Sequence, residues 1–233
     1  MFKGLLFRSK NLFNYLYNVS FSGSYMSYYS NLMDTRIING WGDDVDRSYQ
    51  LKWLRDNSLI SEDTYMLDFG CGPGVAGLNF ISFLNQSNYT GVDISNRAVQ
   101  KAKNLIKKSD LSSKDPNFIV LDARWSEVLF KEKFDLVWAQ SVFTHMPSND
   151  VITNLQKLTS LLLPQGKILC DFNVDDYSQP WSSGGYINNN FSYSHKDIVK
   201  FSKEVGLQVT TIDTWIHPVP PKRGTDVMYC FNV

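Results

Sequence analysis

The stretch Met66-Leu67-Asp68-Phe69-Gly70-Cys71-Gly72-Pro73-Gly74 constrains the fold of this chain more than any other. An apolar run that ends in an acid and passes into three alternating glycines reads as a strand stopping in a tight turn. The next residues, Val75-Ala76-Gly77-Leu78-Asn79-Phe80-Ile81, read as the helix that continues from it. Glycine has no Cβ, so such a turn can take positive φ and let a ligand lie against bare backbone N–H groups. Many nucleotide binders own such a turn. Its meaning depends on the later strands and their distance from it.

Four more strands come in order. Tyr89-Thr90-Gly91-Val92-Asp93 ends in an acid, and Ser95 can N-cap the helix that starts at Asn96. Asn117 to Leu121 is closed by Asp122-Ala123, and Phe134 to Ala139 by Gln140-Ser141. A helix through Val151, Leu155 and Leu158 leads to the turn Pro164-Gln165-Gly166 and a strand over Lys167 to Phe172. Strand–helix alternation predicts an α/β fold with a doubly wound, mostly parallel sheet. The carboxyl ends of its strands share one edge, where ligands bind. Asp68, Asp93, Asp122 and Gln140 all fall at predicted strand ends.

Beyond Asp171 the pattern changes. Residues 173–193 read as a loop, and a helix through Ile198, Phe201 and Val205 ends at Gly206. Two β-rich runs, Leu207 to Trp215 and Val227 to Val233, predict a terminal antiparallel hairpin and bring the sheet to seven strands. Before the first strand, residues 1–57 are helical and aromatic, with Phe2, Leu5, Leu6, Phe13, Leu16 and Tyr17 spaced for one apolar face. They are expected to form a cap within the same domain as the 58–233 core.

Composition bounds the function. A chain of 233 residues with 43% hydrophobic content buries one substantial core. Lys plus Arg equals Asp plus Glu, 23 each, so nucleic acid is not an expected partner. Cys71, Cys170 and Cys230 lack metal-ligand spacing and read as reduced residues of a cytoplasmic protein. No transmembrane segment and no metal site are expected. The basic, apolar start Met1 to Lys10 lacks a long apolar core and a small-residue cleavage site. It reads as a packed amphipathic helix rather than a signal peptide, with peripheral membrane contact as the alternative.

A glycine turn with a strand-end acid about twenty residues later also suits dinucleotide binders. Two features point elsewhere. The spacing Gly70-x-Gly72-x-Gly74 differs from G-x-G-x-x-G, and Asp68 would sit close to a pyrophosphate but well beside an ammonium or sulfonium. The run Asp68-Phe-Gly-Cys-Gly-Pro-Gly74 resembles the first motif of class I S-adenosylmethionine-dependent methyltransferases. Gly91-Val-Asp-Ile-Ser95 resembles the second, Leu121-Asp122-Ala123 the third, and Phe134 to Met146 the fourth strand and its loop. Pro164-Gln-Gly-Lys-Ile-Leu169 is similar to the turn into strand five, with Gln165 in place of a glycine. The resemblance spans about Leu54 to Phe172.

That resemblance implies S-adenosylmethionine as cofactor, S-adenosylhomocysteine as product, and a role for each matching residue. Gly70, Cys71, Gly72 and Gly74 would approach the methionine part, with Asp68 near its ammonium. Asp93, beside Ile94, would accept from both ribose hydroxyls. Asp122 and the Ala123 N–H would hold adenine, and Gln140 would border the methionine portion. A cap tyrosine, Tyr29 or Tyr25, would meet the cofactor carboxylate. Ser141 to Met146, with Ile37 to Trp41, Trp215-Ile-His-Pro and Asp226-Val-Met-Tyr, resembles members found near glycan or natural-product synthesis.

The implied acceptor is a small molecule or saccharide, on oxygen, in a monomer or homodimer. N- or S-methylation and a non-catalytic cofactor-binding partner are the alternatives. A hydroxyl acceptor needs a base. His145, after strand four, is the candidate, a packing histidine being the other reading; His217 could line the pocket and His195 reads as structural. Tyr25, Tyr28, Tyr29, Trp41, Trp125, Tyr177, Trp181 and Tyr186 could supply a lid. Asp171, Asp175 and Asp176 read as a solvated loop cluster.

Overall fold

The computed structural model describes residues 25–40, 46–122, 125–175, 185–187, 190–215 and 225–232 of the chain. Among them the helices are α1 Tyr25–Ile38, α2 Ser48–Asp56, α3 Val75–Phe83, α4 Asn96–Lys108, α5 Ser148–Ser160 and α6 His195–Glu204. The strands are β1 Met66–Phe69, β2 Tyr89–Asp93, β3 Asn117–Val120, β4 Phe134–Ala139 and β5 Leu162–Val174. They continue as β6 Gly185–Ile187, β7 Asn190–Tyr193, β8 Gln208–Ile212 and β9 Thr225–Asn232.

Local chemistry sets the helix ends. Ser95 accepts from the Ala98 N–H at 3.0 Å and starts α4. That helix buries Ala98, Val99, Ala102 and Ile106 on one stripe and ends in Lys107 and Lys108. The lysines complement the negative end of the helix dipole. Ser194 and Asp197 form a capping box at α6, and Gly206 lies just past its end at φ +73°.

Strands β3, β2, β1, β4 and β5 pair in that order, all parallel. β9 runs antiparallel along β5, and β8 pairs antiparallel on β9. These seven strands are the doubly wound sheet and terminal hairpin expected from the sequence. Side chains alternate across it with a period of two. Leu67, Val137, Ile168 and Phe231 face Val151 and Leu155 of α5 and Ile198 and Phe201 of α6. Met66, Trp138, Leu169 and Met228 face Leu54 of α2, Phe80 and Ile81 of α3, and Val99 and Ala102 of α4. Helices therefore cover both faces, and the chain reverses direction across the sheet at β1 and β4.

Four expectations change. Residues 173–193 are not all loop: β6 pairs antiparallel with β7, and β7 pairs parallel with Asn173 and Val174 of β5. β4 stops at Ala139, opposite Cys170, so the end of β5 has a free edge for β7 to fill. The predicted turn at Pro164-Gln165-Gly166 lies inside β5, as an irregularity where the β4 register shifts and Gln165 takes φ +69°. Asp171 and Asp175 are buried rather than solvated, at 0% and 9% exposure, because β5 pairs with β9 as far as Val174. Trp125 is no lid residue either. It is a core side chain whose indole N–H donates to Asn154 at 2.9 Å.

Candidate cofactor site

The turn after β1 forms as predicted. Gly70, Gly72 and Gly74 have φ of +82°, +54° and +80°. A Cβ on Gly70 would lie 2.4 Å from the Val142 Cγ2, so the glycine lets the loop after β4 close against the turn. Gly74 has a different neighbour: a Cβ there would lie 2.8 Å from the Ala102 Cβ, which brings α3 and α4 together.

A cavity of about 610 Å³ opens at the carboxyl ends of β1, β2 and β4. Its wall takes in Asp68, Gly70, Cys71, Gly72, Asp93, Ile94, Gln140 and His145, together with Tyr29 from α1. That volume is ordinary for a small-molecule site. Of the other predicted site residues, Gly74 and Asp122 flank this wall from just outside. Gly74 is one residue past the wall residue Pro73, and Asp122 is exposed, one residue past Leu121. Ala123 lies outside the described residues, as do Trp41, Tyr177, Trp181 and His217, and so do the side chains of Tyr25, Tyr28 and Tyr186. His195, read as structural, lies at the start of α6, away from the cavity wall, with its Nδ1 against the Tyr229 hydroxyl.

Two buried carboxyls dominate the electrostatics. Asp93 is 7% exposed. Its Oδ2 accepts from the Gly72 N–H at 2.9 Å and its Oδ1 from the Ser95 N–H at 2.8 Å. Burial pushes its pKa up to about 6, against the backbone donors that pull it down and with Asp34 adding to the rise. Asp68 is 4% exposed and accepts from the Tyr89 hydroxyl at 2.7 Å. Desolvation raises it to about 7, the tyrosine bond opposing and the Asp93 charge adding. A cation placed beside Asp68 would reverse that rise. Burial also pushes the Cys71 thiol well up, so it stays protonated.

The end of β4 carries a chain of amides. The Trp138 indole N–H donates to Gln50 Oε1 at 2.9 Å, and Gln50 Nε2 donates to Gln140 Oε1 at 3.1 Å. Gln140 Nε2 donates to Asp171 Oδ2 at 3.1 Å, and the Ser141 N–H to Asp171 Oδ1 at 2.5 Å. Ser141 sits in the left-handed region at φ +56°. Asp226 also hydrogen-bonds Asp171, and burial, then the Asp171 charge, holds its carboxyl well above the usual range.

The cap closes the site. Ser30 Oγ donates to the Ile94 carbonyl at 2.9 Å and Ser95 Oγ to Asp34 at 2.5 Å, which ties α1 to the loop after β2. Tyr29 stacks on His145 with ring centroids 5.0 Å apart and planes at 27°. Sequence reasoning missed Gln50, Arg36 and Arg47, which also line the cavity. Arg47 Nη1 donates to the Tyr49 hydroxyl at 3.1 Å. Nothing in their local pattern marked them; they reach the site through the way the cap packs.

A doubly wound sheet with a glycine turn and strand-end acids around one cavity defines a nucleoside-type cofactor binder of the Rossmann-like class. The chain belongs to the methyltransferase domain family, whose model matches residues 60–215. It is 24% identical over 127 residues to the probable methyltransferase ltbC of Aspergillus luteorubrus, covering 53% of this chain. The chain spans about half the length of such relatives, 45% in that case. The fold matches magnesium protoporphyrin IX methyltransferase of Synechocystis PCC 6803, crystallised with bound SAM. The TM-score is 0.59 at 17% identity, over 87% of this chain and 91% of that one. An S-adenosylmethionine-dependent methyltransferase of Clostridium acetobutylicum gives a TM-score of 0.58 at 18% identity, over 88% and 98%.

Proposed function

We propose that the chain is an S-adenosylmethionine-dependent methyltransferase acting on oxygen of a small molecule or saccharide. The observation that carries this reading is the meeting of Asp68, Asp93 and the Gly70–Gly74 turn around one cavity. The residues fit the cofactor. Asp93 is anchored by two backbone donors and keeps lone pairs for ribose hydroxyls; Asp68 suits an ammonium. Asp122, at the β3 end, would hold adenine. Arg36, Arg47 and Tyr29 supply donors for the methionine carboxylate.

When bound, the cofactor supplies a methyl group on a sulfonium. The chain's own work is to orient the acceptor in line with it, exclude water and take up a proton. Tyr29 and α1 shield the cavity, and residues 1–57 act as a cap on the 58–233 core. His145, on the cavity wall and stacked on Tyr29, takes the acceptor's hydroxyl proton. The magnesium protoporphyrin methyltransferase likeness favours a small-molecule acceptor. No helix of the described residues is long and apolar enough to cross a membrane. We take the chain to be a cytoplasmic monomer or homodimer without a nucleic-acid partner, the last in keeping with its zero net charge.

The test is incubation with methyl-labelled S-adenosylmethionine and fractionated small-molecule and glycan extracts. Label should pass to an acceptor with stoichiometric S-adenosylhomocysteine. Cofactor binding with label transfer to no fraction would contradict the enzymatic reading.

A further inference from the structure

Gln140 is an amide, and a buried amide can present either end to a ligand unless its neighbours fix it. Here both ends of its hydrogen-bond chain have one possible sense. An indole N–H only donates, so Trp138 forces Gln50 to turn its oxygen toward Trp138 and its NH2 toward Gln140. With the shared proton of the Asp171–Asp226 pair on Asp226, whose carboxyl is held well above the usual range, Asp171 is a carboxylate and only accepts, so it takes the NH2 of Gln140 at 3.1 Å. The order Trp138 to Gln50 to Gln140 to Asp171 is therefore uniquely polarised, and it runs from the cap helix α2 into β5. Asp171 is fully buried and also holds the Ser141 N–H at 2.5 Å, in a turn whose φ of +56° disfavours a side chain.

We propose that Asp171 is a positioning residue for the cofactor cavity, fixing the orientation of Gln140 and the Ser141 turn and latching α2 to the end of β4. The proposal rests on the reading of Gln140 as a border of the cofactor's methionine portion. Asp171 is not among the residues on the cavity wall, so it acts through Gln140, Ser141 and Gln50. Asparagine at 171 could give its oxygen to the fixed Ser141 N–H only by turning its NH2 toward the NH2 of Gln140. Gln140 cannot flip in response, because Gln50 then meets it donor to donor and Trp138 holds Gln50 in place. A second change relieves the conflict. Glutamate at 140 accepts from both the amide at 171 and Gln50, and the charge moves one position along the chain.

The experiment measures S-adenosylhomocysteine affinity by calorimetry, with thermal melts, for the wild type, Asp171→Asn, Gln140→Glu and the double variant. Each single variant should weaken binding roughly tenfold or more through an unsatisfied buried pair. The double variant should regain most of that loss. A structural role without orientation would show no such recovery, since two damaging changes would add. Asp171→Asn with wild-type affinity, or a double variant no better than Asp171→Asn, would overturn the proposal. If Asp171→Asn does not fold, Gln50→Glu makes the test from the cap, by putting oxygen against Gln140 Oε1; wild-type affinity there would equally overturn it. Wild-type protein that binds no S-adenosylhomocysteine would instead refute the cofactor reading itself.

Discussion

Asp93→Asn separates the ribose contact from the stability of the fold. Both oxygens of Asp93 already hold a backbone N–H, at 2.9 Å from Gly72 and 2.8 Å from Ser95. An amide offers one acceptor oxygen, so one of these donors is orphaned in the variant, at a cost of about 1–3 kcal/mol. The substitution also removes a carboxylate that the fold disfavours. Its pKa rises from an ordinary 3.8 to about 6, mainly through burial. Ionising it inside the fold therefore costs about 3 kcal/mol. That net figure already includes the pull of the two backbone donors, so above pH 6 the variant should melt no lower than wild type.

Cofactor affinity should not be spared. Two charge-assisted bonds to ribose hydroxyls become weaker or are lost, which raises the Kd on the order of a hundredfold. The pH dependence has a definite sign. Because the folded pKa lies above the unfolded one, the group's stabilising contribution is full below 3.8 and is lost as pH rises through about 6. Binding runs the other way: it needs the ionised form, so wild-type affinity should fall below about pH 6. Calorimetric titration with S-adenosylhomocysteine and thermal melts from pH 5 to 8 read both. A variant that binds within about threefold of wild type would refute the assignment of Asp93 to the ribose.

The same geometry has other consequences. His145→Ala should lower kcat by about a hundredfold or more while S-adenosylhomocysteine affinity stays near wild type; an unchanged kcat would leave proximity as the sole catalytic contribution. Gly74→Ala should destabilise the fold, since the residue sits at φ +80° and its Cβ would lie 2.8 Å from that of Ala102. A cost of about 3 kcal/mol lowers the melting temperature by roughly 6–12 °C in a chain of this size, and an unchanged melt would contradict the close helix contact. Asp68, raised to about 7, is partly protonated at neutral pH. Binding the cationic amino group should therefore release protons, seen as buffer-dependent heats that shrink in Asp68→Asn.

The parts of this site that sequence made legible are those that local chemistry determines. A glycine turn after an apolar run, an acid closing the next strand, and Ser95 as a cap are each readable within a few residues. What stayed hidden depends on who packs against whom. Asp171 reads as a loop acid because the apolar run stops beside it, yet β5 continues while Thr225 to Asn232 pairs along it. Gln50 looks like a surface position of an amphipathic helix and is 3% exposed, because it meets Trp138 and Gln140. Arg36 and Arg47 carry no motif at all. They matter only once α1 and α2 lie over the strand ends.

The central claim is that the cavity takes S-adenosylmethionine rather than a dinucleotide. Parallel calorimetric titrations of the wild-type chain with S-adenosylhomocysteine and with reduced nicotinamide cofactor test it most directly. Saturable one-to-one binding of S-adenosylhomocysteine, with no heat from the nicotinamide cofactor, is the predicted result. Saturation by the nicotinamide cofactor with silence toward both S-adenosylmethionine and its product would contradict the account.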